Sequence, residues 1–201
     1  MIAILDYGSG NIRSAQRAFE HSGAEVEITS DYKTALEASG LVIPGVGAFG
    51  ACMNGLLAVR GDQLIRERMS LGRKIFGICV GMQILFKDSA ELYEGRRISG
   101  VGVFDESVER LAAPVLPHIG WNSISADPGV RNFDSVKAQQ FYFVHSYAVT
   151  TPVAKASNIY CEYGSKFVAA IENELITATQ FHPEKSGNAG LELIANWSKS
   201  L

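Results

Sequence analysis

The chain has 201 residues, with 18 Lys and Arg against 21 Asp and Glu and a net charge of −3. That length suits one domain with a sizeable core, and the dispersed, weakly acidic charge leaves no electrostatic footprint for nucleic acid. Three cysteines, Cys52, Cys79 and Cys161, lack metal-ligand spacing and cannot all pair, which points to a reducing, cytoplasmic setting.

Ile2–Leu5 reads as a strand that begins with no basic and apolar leader before it, so no secretory signal is expected. Gly8-Ser9-Gly10-Asn11 follows it and opens a helix, Ile12–Ser22, which ends at Gly23. The loop is no dinucleotide fingerprint, because Ser14 stands where the third glycine belongs; Asn11 reads as the N-cap. Glu25–Thr29 and Leu41–Pro44 read as strands, Ala48–Val59 and Asp62–Leu71 as helices, and Lys74–Ile78 as a strand. The uncharged stretch Leu41 to Val59 is long enough for a membrane span. Pro44 and four glycines punctuate it, so strand, loop and helix are expected instead. Arg96-Arg97 reads as a solvated loop pair.

Further on, Phe141–Val149, Ala156–Glu162, Lys166–Glu172 and Leu175–Gln180 read as short antiparallel strands, with a hairpin at Gly164-Ser165. A closing helix runs from about Ala189 to Lys199, with Leu191, Ile194, Ala195 and Ser198 on one face. The expected fold is therefore α/β: a mostly parallel open sheet flanked by helices, with an antiparallel C-terminal strand group, in one domain over 1–201.

The densest chemistry lies in Gly77-Ile78-Cys79-Val80-Gly81-Met82-Gln83. Glycines two residues before and after a cysteine, between a strand and a helix pattern, allow a sharp turn that exposes a nucleophile. The following helix would point its N-terminus at the sulfur and favour thiolate. It would also offer the Val80 N–H to an oxyanion. Alone, this pattern equally fits a buried core cysteine. A base is available in His182-Pro183-Glu184, at the end of a strand pattern that Pro183 stops. Glu184 lies two residues on, the spacing that puts both side chains on one side of extended chain, and a carboxylate there fixes the imidazole tautomer. His145 is a rival base, but it sits inside an apolar strand with no carboxylate at a useful spacing. His118 and His21 are weaker candidates.

Together the Cys79 run and His182-Pro183-Glu184 resemble the class I (triad) glutamine amidotransferases, in which Cys, His and Glu release ammonia from the side-chain amide of glutamine. Pro44-Gly45-Val46-Gly47 resembles the oxyanion strand of that family. Asp6 to Asn11, Pro117 to Asn122, Phe143 to Tyr147 and Lys185-Ser186 resemble the branch that serves a (β/α)₈-barrel synthase subunit in histidine biosynthesis. The match spans the chain from residue 1 to about residue 200. It implies Cys79, His182 and Glu184 as the triad, and an oxyanion hole of Val80 with Val46 or Gly47. It further implies glutamine contacts from Gln83, Ser146 and Tyr147, and Asn11, Trp121 and Lys185 toward the barrel partner. The resemblance implies a heterodimer and ammonia transfer to that partner, and needs neither metal nor organic cofactor. Alternatives are a glutaminase subunit of a different synthase and an elbow-cysteine peptidase.

Overall fold

A computed structural model describes residues 1–201. The first half alternates strand and helix: β1 (Ile2–Leu5), α1 (Ile12–His21), β2 (Val26–Thr29), α2 (Tyr32–Glu37), β3 (Gly40–Ile43), α3 (Phe49–Ala58), α4 (Gly61–Ser70), β4 (Lys74–Ile78) and the single turn α5 (Val80–Gln83). The second half is β-rich: β5 (Asp88–Tyr93), β6 (Arg96–Ser99), β7 (Ser107–Arg110), β8 (His118–Ser123), β9 (Ser125–Ala126), β10 (Gln140–His145), β11 (Tyr147–Val149), β12 (Ser157–Tyr163), β13 (Ser165–Glu172) and β14 (Ile176–Thr179). A 3-10 turn at Pro183–Lys185 leads into α6, Gly187–Lys199.

Eight strands form the main sheet, in the order β2-β1-β3-β4-β14-β13-β12-β9. From β2 to β14 every pairing is parallel, and from β14 outward the pairings are antiparallel. The expected fold class is what forms. Its central strands, β1, β3, β4 and β14, are buried along almost their whole length, as strands covered on both faces must be. One covering layer is keyed by an aromatic triad: Phe19 of α1, Phe76 of β4 and Trp197 of α6 meet edge to face at centroid distances of 5.3 to 5.7 Å. Arg68 ties another corner. Its buried guanidinium donates to the carbonyls of Ala35, Leu36, Ala38 and Lys74 at 2.8 to 2.9 Å, satisfying the orphan acceptors where α2 ends.

Several expectations change. Phe141–Val149 is two strands in different sheets, β10 on β8 and β11 on β7, with Ser146 as the break. β14 is antiparallel to β13 but parallel to β4. Arg96-Arg97 is the strand β6 rather than a loop, and Arg97 bridges Asp88 and Glu109 at 2.8 Å each. Trp121, in a segment with no expected element, lies on the strand β8. The buried face of α6 is Gly190, Leu193, Ile194 and Trp197, so Leu191, Ala195 and Ser198 only flank it. The large Trp197 decides this rotation, since burying an indole removes the most apolar surface. No helix is long and apolar enough to cross a membrane.

Candidate active site

Cys79 follows β4 directly, at the carboxyl end of the most central part of the sheet. Its backbone is left-handed, at φ 54° and ψ −111°, a conformation that costs a non-glycine residue about 1–3 kcal/mol. The surroundings impose it. The Cys79 N–H donates to Thr179 of β14 at 2.7 Å. A Cβ on Gly81 would overlap the Ile43 carbonyl, and one on Gly45 would overlap the Gly81 nitrogen. The two glycines therefore let the ends of β3 and β4 press against the elbow. The helix after the elbow is only one turn, Val80–Gln83, so its dipole at the sulfur is far weaker than the sequence pattern implied.

His182 supplies the charge instead. It stands three residues past the end of β14, in a segment pinned from both sides. Its N–H donates to the Tyr142 carbonyl at 3.0 Å, and its carbonyl accepts from the Ser186 hydroxyl at 2.6 Å. Glu184 reaches it from within the 3-10 turn rather than along extended chain; Nδ1 lies 2.8 Å from Oε1, with both side chains at most 2% exposed. Burial alone would lower the His182 pKa, but the Cys79 sulfur and the Glu184 carboxylate outweigh it and push it up to about 10. Nε2 is buried without a hydrogen-bond partner and lines the same cavity as Cys79. Cysteine and imidazole thus meet as a loose pair, as resting catalytic hydrogen bonds often do.

Asn11 takes an unexpected part. It occupies the N-cap position of α1 but makes no capping bond with its side chain. Its Nδ2 donates instead to Glu184 Oε1 at 2.8 Å, so the chain of contacts runs Asn11, Glu184, His182. His145, the rival base, turns its Nδ1 to the Tyr147 carbonyl at 3.0 Å and its Nε2 to His118 at 3.2 Å. Burial pushes its pKa down to about 3, which leaves a neutral ring committed at both nitrogens.

At Pro44–Gly47, the segment expected as the oxyanion strand, the N–H groups of Val46 and Val80 are both occupied. Val80 N–H donates to the Gly45 carbonyl at 3.2 Å, and Val46 N–H to the Ser9 hydroxyl at 3.0 Å. The Gly45 carbonyl and the Val46 N–H belong to one peptide unit, Gly45–Val46. A half-turn of that unit would free Val80 N–H and bring Val46 N–H to the same side. The Val46 carbonyl accepts from the Cys52 thiol at 3.4 Å, and Gly47 has φ 94°, a conformation that favours glycine there.

The cavity has a volume of about 370 Å³, and Val46, Gly47, Cys79, Val80, Gln83, Ser146, Tyr147, His182 and Lys185 all line it. Glu184 and Asn11 stand behind His182. Trp121 is 53% exposed on β8, as is Ile119 at 59%, and the tip of its ring approaches Gly187, two residues from Lys185. Glu91, Pro117 and Val144 also line the cavity and were not foreseen, nor was Gln180, whose Nε2 is 3.6 Å from the Cys79 sulfur. Gln180 had a legible signal, since it precedes His182 by two in an alternating segment. Glu91 had none. No group of three or more His, Cys, Asp or Glu side chains is placed to hold a metal ion.

Residues 3–200 match the family model for class-I glutamine amidotransferases. The chain is 49% identical over 207 residues to imidazole glycerol phosphate synthase subunit HisH of Leifsonia xyli subsp. xyli, covering all of this chain and 98% of that one. It is 52% identical over 209 residues to the subunit of the same name from Thermobifida fusca, with the same coverage. Among solved structures, it superposes on a glutamine amidotransferase crystal structure with a TM-score of 0.74 at 18% identity, covering 96% of this chain and 98% of that one. It also superposes on the glutaminase domain of Trypanosoma brucei CTPS with bound acivicin, with a TM-score of 0.68 at 18% identity, covering 99% and 92%. These two likenesses concern the fold, whereas the family match and the sequence relatives concern descent. An elbow cysteine, a carboxylate-backed histidine and a full-length family match converge, and the chain belongs to the class-I glutamine amidotransferases.

Proposed function

We propose that this chain is the glutaminase subunit of an imidazole glycerol phosphate synthase and that Cys79, His182 and Glu184 carry its chemistry. The Cys79 thiolate attacks the side-chain carbonyl carbon of glutamine. The His182 imidazolium gives its proton to the departing nitrogen, ammonia leaves, and a glutamyl thioester remains. A water then loses a proton to His182, attacks the thioester and frees glutamate and the thiolate. Glu184, steadied by Asn11, holds the Nδ1 proton of His182 and so aims Nε2. Gln83, Ser146 and Tyr147 form the wall for the amino-acid end of glutamine. Both Nε2 protons of Gln83 are engaged, to Tyr147 and Gln180 at 2.9 Å each, so its Oε1 is the group left for the substrate ammonium.

The Gly45–Val46 peptide is the observation that carries the coupling to a partner. In the conformation described above, its carbonyl sits on the Val80 N–H that the oxyanion needs. Turned over, it offers Val46 N–H as a second donor. A missing oxyanion donor costs about 10²–10³ in turnover, so a subunit resting in this conformation wastes little glutamine. Exposed Trp121 and Ile119, with Lys185 beside them, form the face for a (β/α)₈-barrel synthase subunit that receives the ammonia to build imidazole glycerol phosphate in histidine biosynthesis.

The test is glutamate release by the chain alone, with the barrel subunit, and with the barrel subunit and its nucleotide ligand. Turnover should rise by at least about 10² across that series. Equal turnover in all three would remove the peptide switch, and no hydrolysis in any would remove the glutaminase reading.

A further inference from the structure

Gln180 lies one residue past β14 and two before His182. It is 1% exposed, and its N–H is fixed to the Ala169 carbonyl at 2.8 Å. Its side-chain amide ends 3.6 Å from Cys79 Sγ. A carboxamide can present either oxygen or nitrogen to a neighbour, so the surroundings must decide which.

Here one backbone carbonyl decides. Tyr147 C=O can only accept. Gln83, 2.9 Å away, must therefore face it with Nε2. The second proton of that nitrogen points at Gln180, also at 2.9 Å, so Gln180 must answer with Oε1. Its Nε2 is left for the sulfur. Reversing Gln180 would set two NH₂ groups face to face and put a carbonyl oxygen against the nucleophile. The same carbonyl orders the other branch. His145 Nδ1, at 3.0 Å, must donate to it, and His145 Nε2 then accepts from His118 Nδ1 at 3.2 Å.

We propose that Gln180 is a further catalytic residue, an N–H donor held on the Cys79 sulfur, with its direction imposed by the Tyr147 carbonyl through Gln83. A hydrogen bond to a charged group favours the charged form, so the donor stabilises the thiolate and steadies the sulfur between attack and release. This matters because α5, a single turn, supplies little dipole of its own. The consequence for turnover rests on the glutaminase reading, but the contact itself can be tested without glutamine.

The experiment is alkylation of Cys79 by iodoacetamide across pH, read on the Cys79 peptide by mass spectrometry, using the full chain with its barrel subunit. Titratable groups that face the sulfur or line its cavity are His182 after β14, Tyr7 after β1, Cys52 on α3, Glu91 on β5, His145 on β10, Tyr147 on β11 and Lys185. All are unchanged in the variants. Gln180→Met keeps the length and removes the donor. It should lower neutral-pH alkylation about tenfold and move the pH midpoint up by about one unit. Glutamine turnover should fall about as much, with KM within about twofold. Gln180→Glu, which keeps the shape should the Met variant fail to fold, should move the midpoint further up. A merely structural role would lower the melting temperature and leave the midpoint in place. Folded variants with the parental midpoint would overturn the proposal. A shifted midpoint in a protein that hydrolyses no glutamine would uphold the donor and overturn the glutaminase reading.

Discussion

Two buried histidine networks line one cavity, and they differ in what they leave undone. Around His145, the run from His118 through Tyr147 and Gln83 to Gln180 leaves no buried nitrogen or oxygen without a partner. Around His182, the Nε2 atom and Glu184 Oε2 are both buried and unpartnered. A satisfied network rigidifies its surroundings, and this one exchanges no proton of its own but holds the Gln180 amide against the sulfur. Orphaned polar atoms in a native interior call for a reason, and in the proposed mechanism the orphan nitrogen is the one that exchanges a proton. Electrostatics separate the networks in the same sense. His145 is held neutral by burial, with a pKa pushed down to about 3, while His182, between sulfur and carboxylate, is pushed up to about 10.

The largest expected break in this comparison is His182→Asn. Removing the acid–base group should cost about 10²–10⁴ in glutaminase turnover with folding retained. His145→Asn, assayed in the same way, should change kcat by less than about tenfold and act mainly through KM and stability. A reversed ranking of the two would move the base to β10. Ser9→Ala tests a third, smaller satisfied network, the one that locks the Gly45–Val46 peptide. Losing one hydrogen bond worth about 1 kcal/mol should raise turnover of the isolated chain about fivefold and shrink activation by the partner. Unchanged basal turnover would show that Ser9 is no latch.

The smallest effect is on stability, and its sign differs between the networks. A histidine whose folded pKa is raised contributes stability that is complete below its ordinary value of 6.5. For His182 that contribution is lost as pH rises through about 10. A lowered pKa acts the other way, so the His145 contribution is present above 6.5 and lost as pH falls toward about 3. Urea unfolding should therefore weaken on both limbs, by at least about 1 kcal/mol on each. Cys79→Ala, which removes one of the two groups raising the His182 pKa, should flatten the alkaline limb alone, and His145→Asn the acid limb alone. An alkaline limb untouched by Cys79→Ala would mean that sulfur and imidazole are not coupled.

The cluster of Cys79, His182 and Glu184 was legible because its members sit in two short motifs whose local geometry the backbone can barely avoid: glycines around Cys79, and a proline locked between His182 and Glu184. The parallel half was legible for a similar reason, since strands and helices alternate there with clear breaks. The strands from Asp88 to Ala126 were not. They are short, half-buried and edged with charge; β6 hides only Ile98 in part, so the period-two signal is too faint to read. Phe141–Val149 misled for the opposite reason. Its apolar and aromatic residues run on with only His145 and Ser146 between them, and the break at Ser146 is set by which sheet each half joins. Asn11 has a strong capping preference, but the carboxylate it meets lies 173 residues away, and no local pattern carries that contact.

In the proposed mechanism Cys79 is the nucleophile, and the other two cysteines only pack. Cys52 and Cys161 are buried, and burial raises the pKa of both thiols, that of Cys161 to about 12. The direct measurement is glutamate release from glutamine by the complex with the barrel subunit, comparing the parent with Cys79→Ala, Cys52→Ala and Cys161→Ala at matched stability. Cys79→Ala should fall to background with partner binding intact, and the other two should keep near-parental turnover. Glutamate release at the parental rate from Cys79→Ala would contradict the mechanism.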